Sequence, residues 1–302
     1  MHKVLLTGAS GFLGRHCLQL LASQYELHAV SRARETPSNP NIHWHQIDLF
    51  QTGRVTTLLR EIRPTHLLHL AWATDPDTYR DSPENLNWLA ASVHLLRAFG
   101  ENGGRRVVMA GSCAEYDWSQ GVCDEATTPL RPANLYGACK NALREVLESY
   151  AEQIGLSAAW GRIFFLYGAG EHPDRFFSYV IRSLVGGKPA RCSNGTQRLD
   201  YIHVEDAANA FVALLSASVG GVMNIGTGEA MEIATLARLI GSRLGRCELI
   251  QFGAVQTQDS EVSLVVAGQR RARFELGWSP KRTLDQGLNE LIDFWKRQLA
   301  QA

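Results

Sequence analysis

The first feature of the chain with the means to do chemistry is a tyrosine four residues ahead of a lysine, Tyr136 and Lys140 in NLYGACK. On a helix the two side chains share one face, one turn apart. A free phenol has a pKa of about 10, so acting as a base near pH 7 requires lowering it by roughly three units, or about 4 kcal/mol. A neighbouring ammonium favours the phenolate electrostatically. The pattern is short enough to arise by chance, so the rest of the chain must say whether anything reactive reaches that helix.

A glycine loop near the start answers part of this. TGASGFLG sets Gly8, Gly11 and Gly14 directly after the apolar run Lys3–Thr7, at the opening of a helical pattern. Glycines there let the backbone turn tightly, approach a pyrophosphate and pack the helix on the sheet, with free amides facing the phosphates. Ser10, Phe12 and Leu13 stand between them and are counted with the cofactor residues. An NAD enzyme usually ends its second strand on an acid that takes the ribose hydroxyls. HAVSRARE instead gives Ser31, Arg32 and Arg34, a hydroxyl and guanidiniums suited to a 2′-phosphate, so NADP(H) is expected in preference to NAD(H). Asp48 closes IHWHQID and is expected near the adenine. Leu49, and Leu70 and Ala71 at the end of the strand expected at His66–Ala71, join the same set.

The elements that must position these residues alternate. Lys3–Thr7, Glu26–Ser31, His66–Ala71 and Arg106–Gly111 are short, rich in Val, Leu and Ala, and read as buried parallel strands. Leu13, Cys17, Leu20, Leu21 and Leu86, Leu89, Val93, Leu96 read as helix faces between them. The expected fold is α/β, a Rossmann-type doubly wound parallel sheet with a smaller C-terminal α/β substrate lobe. Residues 1–167 form the dinucleotide-binding domain, with 200–227 returning to it, and 168–199 with 228–302 form the lobe. A helix over Phe176–Leu184 and an amphipathic one carrying Leu284, Leu288, Leu291, Ile292, Trp295 and Leu299 belong to the latter.

With 45% hydrophobic and 20% charged residues in 302 and a formal net charge of zero, the chain has the profile of a soluble globular protein. It lacks the basic field that nucleic-acid or anionic-membrane binding needs. No signal peptide or membrane span is read, which points to the cytoplasm. The six cysteines show neither a Cys-x-x-Cys pair nor zinc spacing, so free thiols and no metal are expected.

The glycine loop, Ser112 in GSCAEY, and Tyr136 with Lys140 together resemble the extended short-chain dehydrogenase/reductases, the NAD(P)-dependent epimerase/dehydratase group. The resemblance runs almost end to end, through HLLHLAWAT, EATTPLRPANLYGACK, WGRIFFLYGAGEHP, NGTQRLDYIHVEDAANA, MNIGTGE and LGWSPKRTLDQGL. It implies that Ser112 anchors substrate, Tyr136 is the general acid/base, and Lys140 holds the nicotinamide ribose and tunes the tyrosine. A dehydratase of this group carries an Asp-Glu pair after the serine; Cys113 and Ala114 stand there, against dehydration. An epimerase working through carbanions would want a further acid/base pair, for which Cys113, Glu115 and His172 are conceivable but match no position of the group. Cys113 reads rather as a small buried thiol and Glu115 as a hydrogen-bonded loop acid.

The expected reaction is reduction of a nucleotide-linked 4-keto sugar by NADPH. The alternatives are a nucleotide-sugar 4-epimerase, a reductase of a non-sugar ketone, and a non-catalytic NADP sensor. The family's diphosphate-binding arginine reads Leu199 before Asp200, with Arg198 one place early and hence on the opposite face of a strand. Gln256 and Gln258 stand where a second arginine is expected. Either Arg198, Arg191 or Arg162 supplies the grip or the substrate lacks a diphosphate, and Cys113, Ala114 and Asp200 complete the substrate set. A homodimer through the Leu86–Phe99 and Asn141–Tyr150 segments is expected from the resemblance.

Overall fold

The computed structural model describes residues 2–33, 39–256 and 263–301. The chain runs β1 (Lys3–Thr7), α1 (Gly14–Ala22), β2 (Glu26–Ser31), β3 (Ile42–Gln46), α2 (Thr52–Ile62), β4 (His66–His69), α3 (Glu84–Glu101) and β5 (Arg106–Ser112). Then come β6 (Val122–Cys123), α4 (Leu135–Ile154), β7 (Ser157–Ile163), β8 (Phe165–Tyr167), α5 (Phe176–Val185), β9 (Ala190–Arg191), β10 (Arg198–Leu199), β11 (Tyr201–His203) and α6 (Val204–Ser216). The remainder is β12 (Gly221–Ile225), β13 (Met231–Glu232), α7 (Ile233–Leu244), β14 (Ile250–Gln251), β15 (Leu264–Ala267), α8 (Arg270–Phe274) and α9 (Leu284–Ala300).

Seven strands form one sheet in the order β12-β7-β5-β4-β1-β2-β3, every pair parallel. This is the doubly wound α/β arrangement read from the sequence. Apolar runs such as KVLLT lie in the sheet because both its faces are covered, so nearly every position must be apolar. Leu6, Leu27, Leu68 and Val108 pack under α1 and α6 on one face. Leu5, Leu67, Val107 and Met109 pack against residues of α2, α3 and α4 on the other. Full burial of each such side chain contributes roughly 1.5–3 kcal/mol. After β1 the chain leaves to one side and β4 lies on the other, which opens a crevice at the carboxyl ends of the strands.

Two details depart from the sequence reading. β4 stops at His69, two residues early, because Leu70 and Ala71 turn out of the sheet over Gly8; the Leu70 amide donates to the Thr7 carbonyl. In α3 the buried stripe is Trp88, Ala91, Ser92, Leu95 and Phe99, while Leu86 is exposed. Of the expected leucine spacing, Leu96 is in the core and Leu89 and Val93 pack against it, while Leu86 falls outside the buried face.

The edge strand β12 pairs with β7, and Arg271 of α8 covers its open side by donating to the carbonyls of Gly220 and Val222. Unpaired edges invite other strands, and a guanidinium laid across one blocks them. Beyond the sheet, β13-β10-β15-β6 form a small second sheet. Phe177, Ile181, Leu236, Ile240, Leu288 and Leu291 join α5, α7 and α9 in a separate apolar cluster. Among the described residues no helix is long and apolar enough to cross a membrane.

Candidate active site

The carboxyl end of β1 runs into Gly8, whose φ of 69° only glycine adopts without strain. A Cβ there would stand 2.8 Å from the Ala71 amide nitrogen, so Leu70 and Ala71 cross directly over the glycine turn. A Cβ on Gly14 would overlap the Gly8 carbonyl, so this glycine lets α1 start against the turn. No side chain caps the first turn of α1, whose positive dipole end lies beside the glycine turn, while the Arg15 and His16 amides donate to the Gly11 and Leu13 carbonyls. Ser10 and Ser31 meet at 3.0 Å between their hydroxyls, joining the loop to the end of β2. Arg32 is exposed beside them, and Arg34 lies outside the described residues. Asp48 turns back to accept the Phe50 amide at 3.0 Å, with Leu49 buried beneath. Phe12 is half-buried, while Leu13 is in the core and anchors the loop. The cradle suits a dinucleotide: no side chain caps the helix start, and the glycines leave the turn without Cβ atoms, so a pyrophosphate can approach the backbone closely.

Ser112, Tyr136 and Lys140 come together at the ends of β5 and α4. Asn134 caps α4 by accepting the Gly137 amide at 2.9 Å. A Cβ on Gly137 would overlap the Ala114 carbonyl, so the first turn of α4 abuts the short 3₁₀ turn Cys113–Glu115 that follows Ser112. The Ser112 hydroxyl accepts the Ala114 amide at 3.2 Å, and its side chain stands close enough to the Tyr136 phenol to draw its pKa down. Tyr136 is 8% exposed and Lys140 3%. Lys140 Nζ donates to the Ala110 carbonyl at 2.9 Å, 3.9 Å from the Trp72 ring centre and 5.9 Å from that of Tyr136.

The electrostatics run against the sequence expectation that the ammonium lowers the phenol. Burial pushes Tyr136 up, and the hydrogen bond from Ser112 pulls it back only in part. Burial also brings Lys140 down to about 7, opposed by the Glu115 carboxylate. In so dry a corner both charged forms lose hydration, and this outweighs their mutual field.

The substrate candidates separate. Glu115 is fully buried and accepts the Ser112 amide at 2.7 Å, the Trp160 indole at 3.0 Å and Arg162 Nε at 2.7 Å. Arg162, 1% exposed, lies on the Tyr116 ring at 4.3 Å, so it neutralises Glu115 and is not offered to a substrate. Asp200 is also buried, its carboxylate filled by the amides of Thr227, Gly228 and Ala267 and the Thr227 hydroxyl. Leu199 faces the apolar cluster around Cys113 while Arg198 is exposed, on opposite faces as strand alternation requires. The buried Cys113 thiol is pushed well above its ordinary value by burial, and Ala114 packs against Gly137. Arg191 donates to the Ala254 carbonyl at 3.1 Å, Gln256 is exposed, and Gln258 lies outside the described residues. His172 is exposed, 3.7 Å from Asp174.

Three residues that sequence reasoning passed over close the site. Trp72 lies under Lys140. Tyr79 stands edge-on to Tyr136 at 5.0 Å. Arg175 stacks on Tyr79 at 5.3 Å and donates to the Thr74 carbonyl at 3.0 Å. The aromatics in HLAWATDPDTYR were the available signal, but that stretch was read for its strand alone.

The sequence model of the NAD dependent epimerase/dehydratase family matches residues 4–226, most of the chain. The chain belongs to this family. It is an NAD(P)-dependent enzyme of the extended short-chain dehydrogenase/reductase type. A UDP-glucuronate 4-epimerase from Thermodesulfobacterium geofontis is 24% identical over 99% of this chain and 98% of its own. A UDP-glucose 4-epimerase from Azospirillum brasilense is 26% identical over 99% and 93%. Among solved structures, MoeE5 in complex with UDP-glucuronic acid and NAD is 30% identical, with a TM-score of 0.85 over 98% of this chain and 99% of its own. The glycine cradle lies at the carboxyl end of β1, and Ser112, with the carbonyl that Lys140 meets, lies at the carboxyl end of β5.

Proposed function

We propose that the protein is a nucleotide-sugar 4-epimerase that holds NAD(P) and oxidises, turns and re-reduces C4 of its substrate. The site observation in keeping with this is that, among the described residues, one acid/base group is placed at this corner, which speaks against elimination. The likeness to UDP-sugar 4-epimerases favours epimerisation over reduction. Tyr136 is in place with Ser112 and Lys140, whereas Glu115 is consumed by Arg162, Trp160 and the Ser112 amide. Epimerisation through a 4-ketone needs one acid/base and a reversible hydride carrier, and elimination of water would need more. The relatives that are UDP-sugar 4-epimerases, and MoeE5 with its NAD, support the same reading and extend it to a uridine diphosphate sugar. It replaces the reduction expected from the sequence.

When bound, NAD(P) supplies the hydride acceptor and donor. Tyr136 takes the proton of the C4 hydroxyl and later returns it. Ser112, beside the phenol, would hold the same oxygen and keep the proton path short. Lys140 holds the ribose and, while charged, favours the phenolate. The buried walls around Tyr136 exclude water that would otherwise solvate the ketone.

The reading is tested by incubating the purified protein with UDP-glucuronic acid and with UDP-glucose and resolving the products by NMR. Interconversion of C4 epimers with no net change in reduced cofactor is expected. Keto-reduction is kept as a second reading for one observation: β2 ends on Ser31, followed by Arg32, and among the described residues no carboxylate directly follows that strand end for the ribose of NAD. Stoichiometric NADPH consumption on a 4-keto sugar, with no epimer formed, would establish it instead. We propose also that two copies associate through the outer faces of α3 and α4, where Leu86 and Val146 are exposed.

A further inference from the structure

We propose that Trp72 is a positioning residue of this reaction: its indole face fixes the Lys140 ammonium and keeps it charged within the dry corner. The inference rests on the reading of Tyr136 and Lys140 as a working pair. An ammonium carries three donors, yet among the described residues one hydrogen-bond acceptor, the Ala110 carbonyl, meets Lys140. The other close partner is the face of Trp72, 3.9 Å from Nζ to the ring centre. A ring quadrupole attracts a cation over its face, and most strongly when water is excluded.

The indole is itself held. Its Nε1 donates to Asn85 Oδ1 at 2.8 Å, and the Asn85 amide donates to the carbonyls of Tyr79 and Ser82 at 2.6 and 2.9 Å. Trp88 stacks behind it at 6.2 Å. The ring is thereby aimed from α3, an element that does not carry the lysine.

The other titratable groups facing Lys140 leave Trp72 with a defined share. Glu115, from the turn after β5, favours the ammonium. His69 of β4 is held neutral by burial, its value near 3, between the hydroxyls of Thr7 and Ser92. Tyr136, one turn earlier on α4, is pushed up and stays neutral. Against burial, the ammonium thus has a carboxylate, the Ala110 carbonyl and the near face of Trp72, with the Tyr136 ring farther off at 5.9 Å.

The test uses the side-chain resonances of the five lysines, Lys3, Lys140, Lys188, Lys281 and Lys296, in ¹³C-lysine-labelled protein, with Lys140 assigned by its loss in Lys140→Met. Trp72→Leu is expected to lower the Lys140 titration midpoint by about one pH unit, and Trp72→Phe, which keeps a weaker π face, by less. NAD affinity measured across the same pH range is expected to fall in parallel. An unmoved midpoint in Trp72→Leu overturns the proposal. Should that variant not fold, judged by its melting curve, Trp72→Phe alone is expected to shift the midpoint downward by a few tenths of a unit, and no shift overturns it equally. The midpoint requires no substrate, so a failure to turn over nucleotide sugars would strike the proposed reaction and leave this inference standing.

Discussion

Glu171 concentrates in one side chain what burial does to charge in this molecule. It is 4% exposed, its Oε1 accepts the Ser178 amide at 2.9 Å, and its Oε2 has no partner among the described residues. Burial raises the carboxyl from 4.5 to about 7. A carboxyl whose folded value is raised holds its proton more tightly in the folded state. Its stabilising contribution is therefore complete below about 4.5 and is lost as pH rises through about 7. Glu171→Gln keeps an oxygen for the Ser178 amide and removes the charge. The variant is expected to exceed the parent at pH 8 by as much as about 3 kcal/mol and to match it at pH 4, read from urea midpoints. Equal midpoints at pH 8 would show the carboxylate to be hydrated after all. At this scale the sequence was legible where the grammar is local: a helix period joins Tyr136 to Lys140, and strand alternation separates Arg198 from Leu199. It was silent on Trp72, because an indole under an ammonium arises only when β4, α3 and α4 are brought together.

The corner between β5 and α4 depends on a pair buried beneath it. Glu115 and Arg162 come from the turn after β5 and from β7, 47 residues apart, and meet at 2.7 Å with almost no exposure. Removing one member of such a pair strands the other charge, which typically costs about 3–5 kcal/mol. Arg162→Met is expected to lose that much in denaturant unfolding and to slow turnover, since Glu115 also holds the Ser112 amide. Glu115→Gln added to Arg162→Met is expected to recover part of the loss. A single-variant loss below about 1 kcal/mol would mean that water already reaches the pair. Arg162 was read from the sequence as a possible substrate grip because a strand-end arginine looks alike whether it faces a ligand or a carboxylate. The partner that decides it belongs to another element. The strands themselves were legible, since burial on both faces leaves short runs rich in Val, Leu and Ala in β1, β2 and β5, broken in β2 by His28.

For the whole molecule, the outer surfaces of α3 and α4 carry Leu86, 54% exposed, and Val146, 38% exposed. If two copies meet there, Leu86→Glu combined with Val146→Glu is expected to halve the mass seen by size-exclusion chromatography with light scattering. A wild-type monomer would dispose of the dimer at once. The strand order carries a different consequence, for the order of manufacture. β7 finds its outer neighbour in β12, which is made after two further helices, and Arg271 then seals β12. A nascent chain that has emerged only as far as β7 presents a bare, apolar strand edge to whatever lies nearby. The half of the protein that holds the cofactor cradle is thus complete in sequence long before it is complete in structure. Its exposure during synthesis ends with a segment that contributes nothing to the cradle.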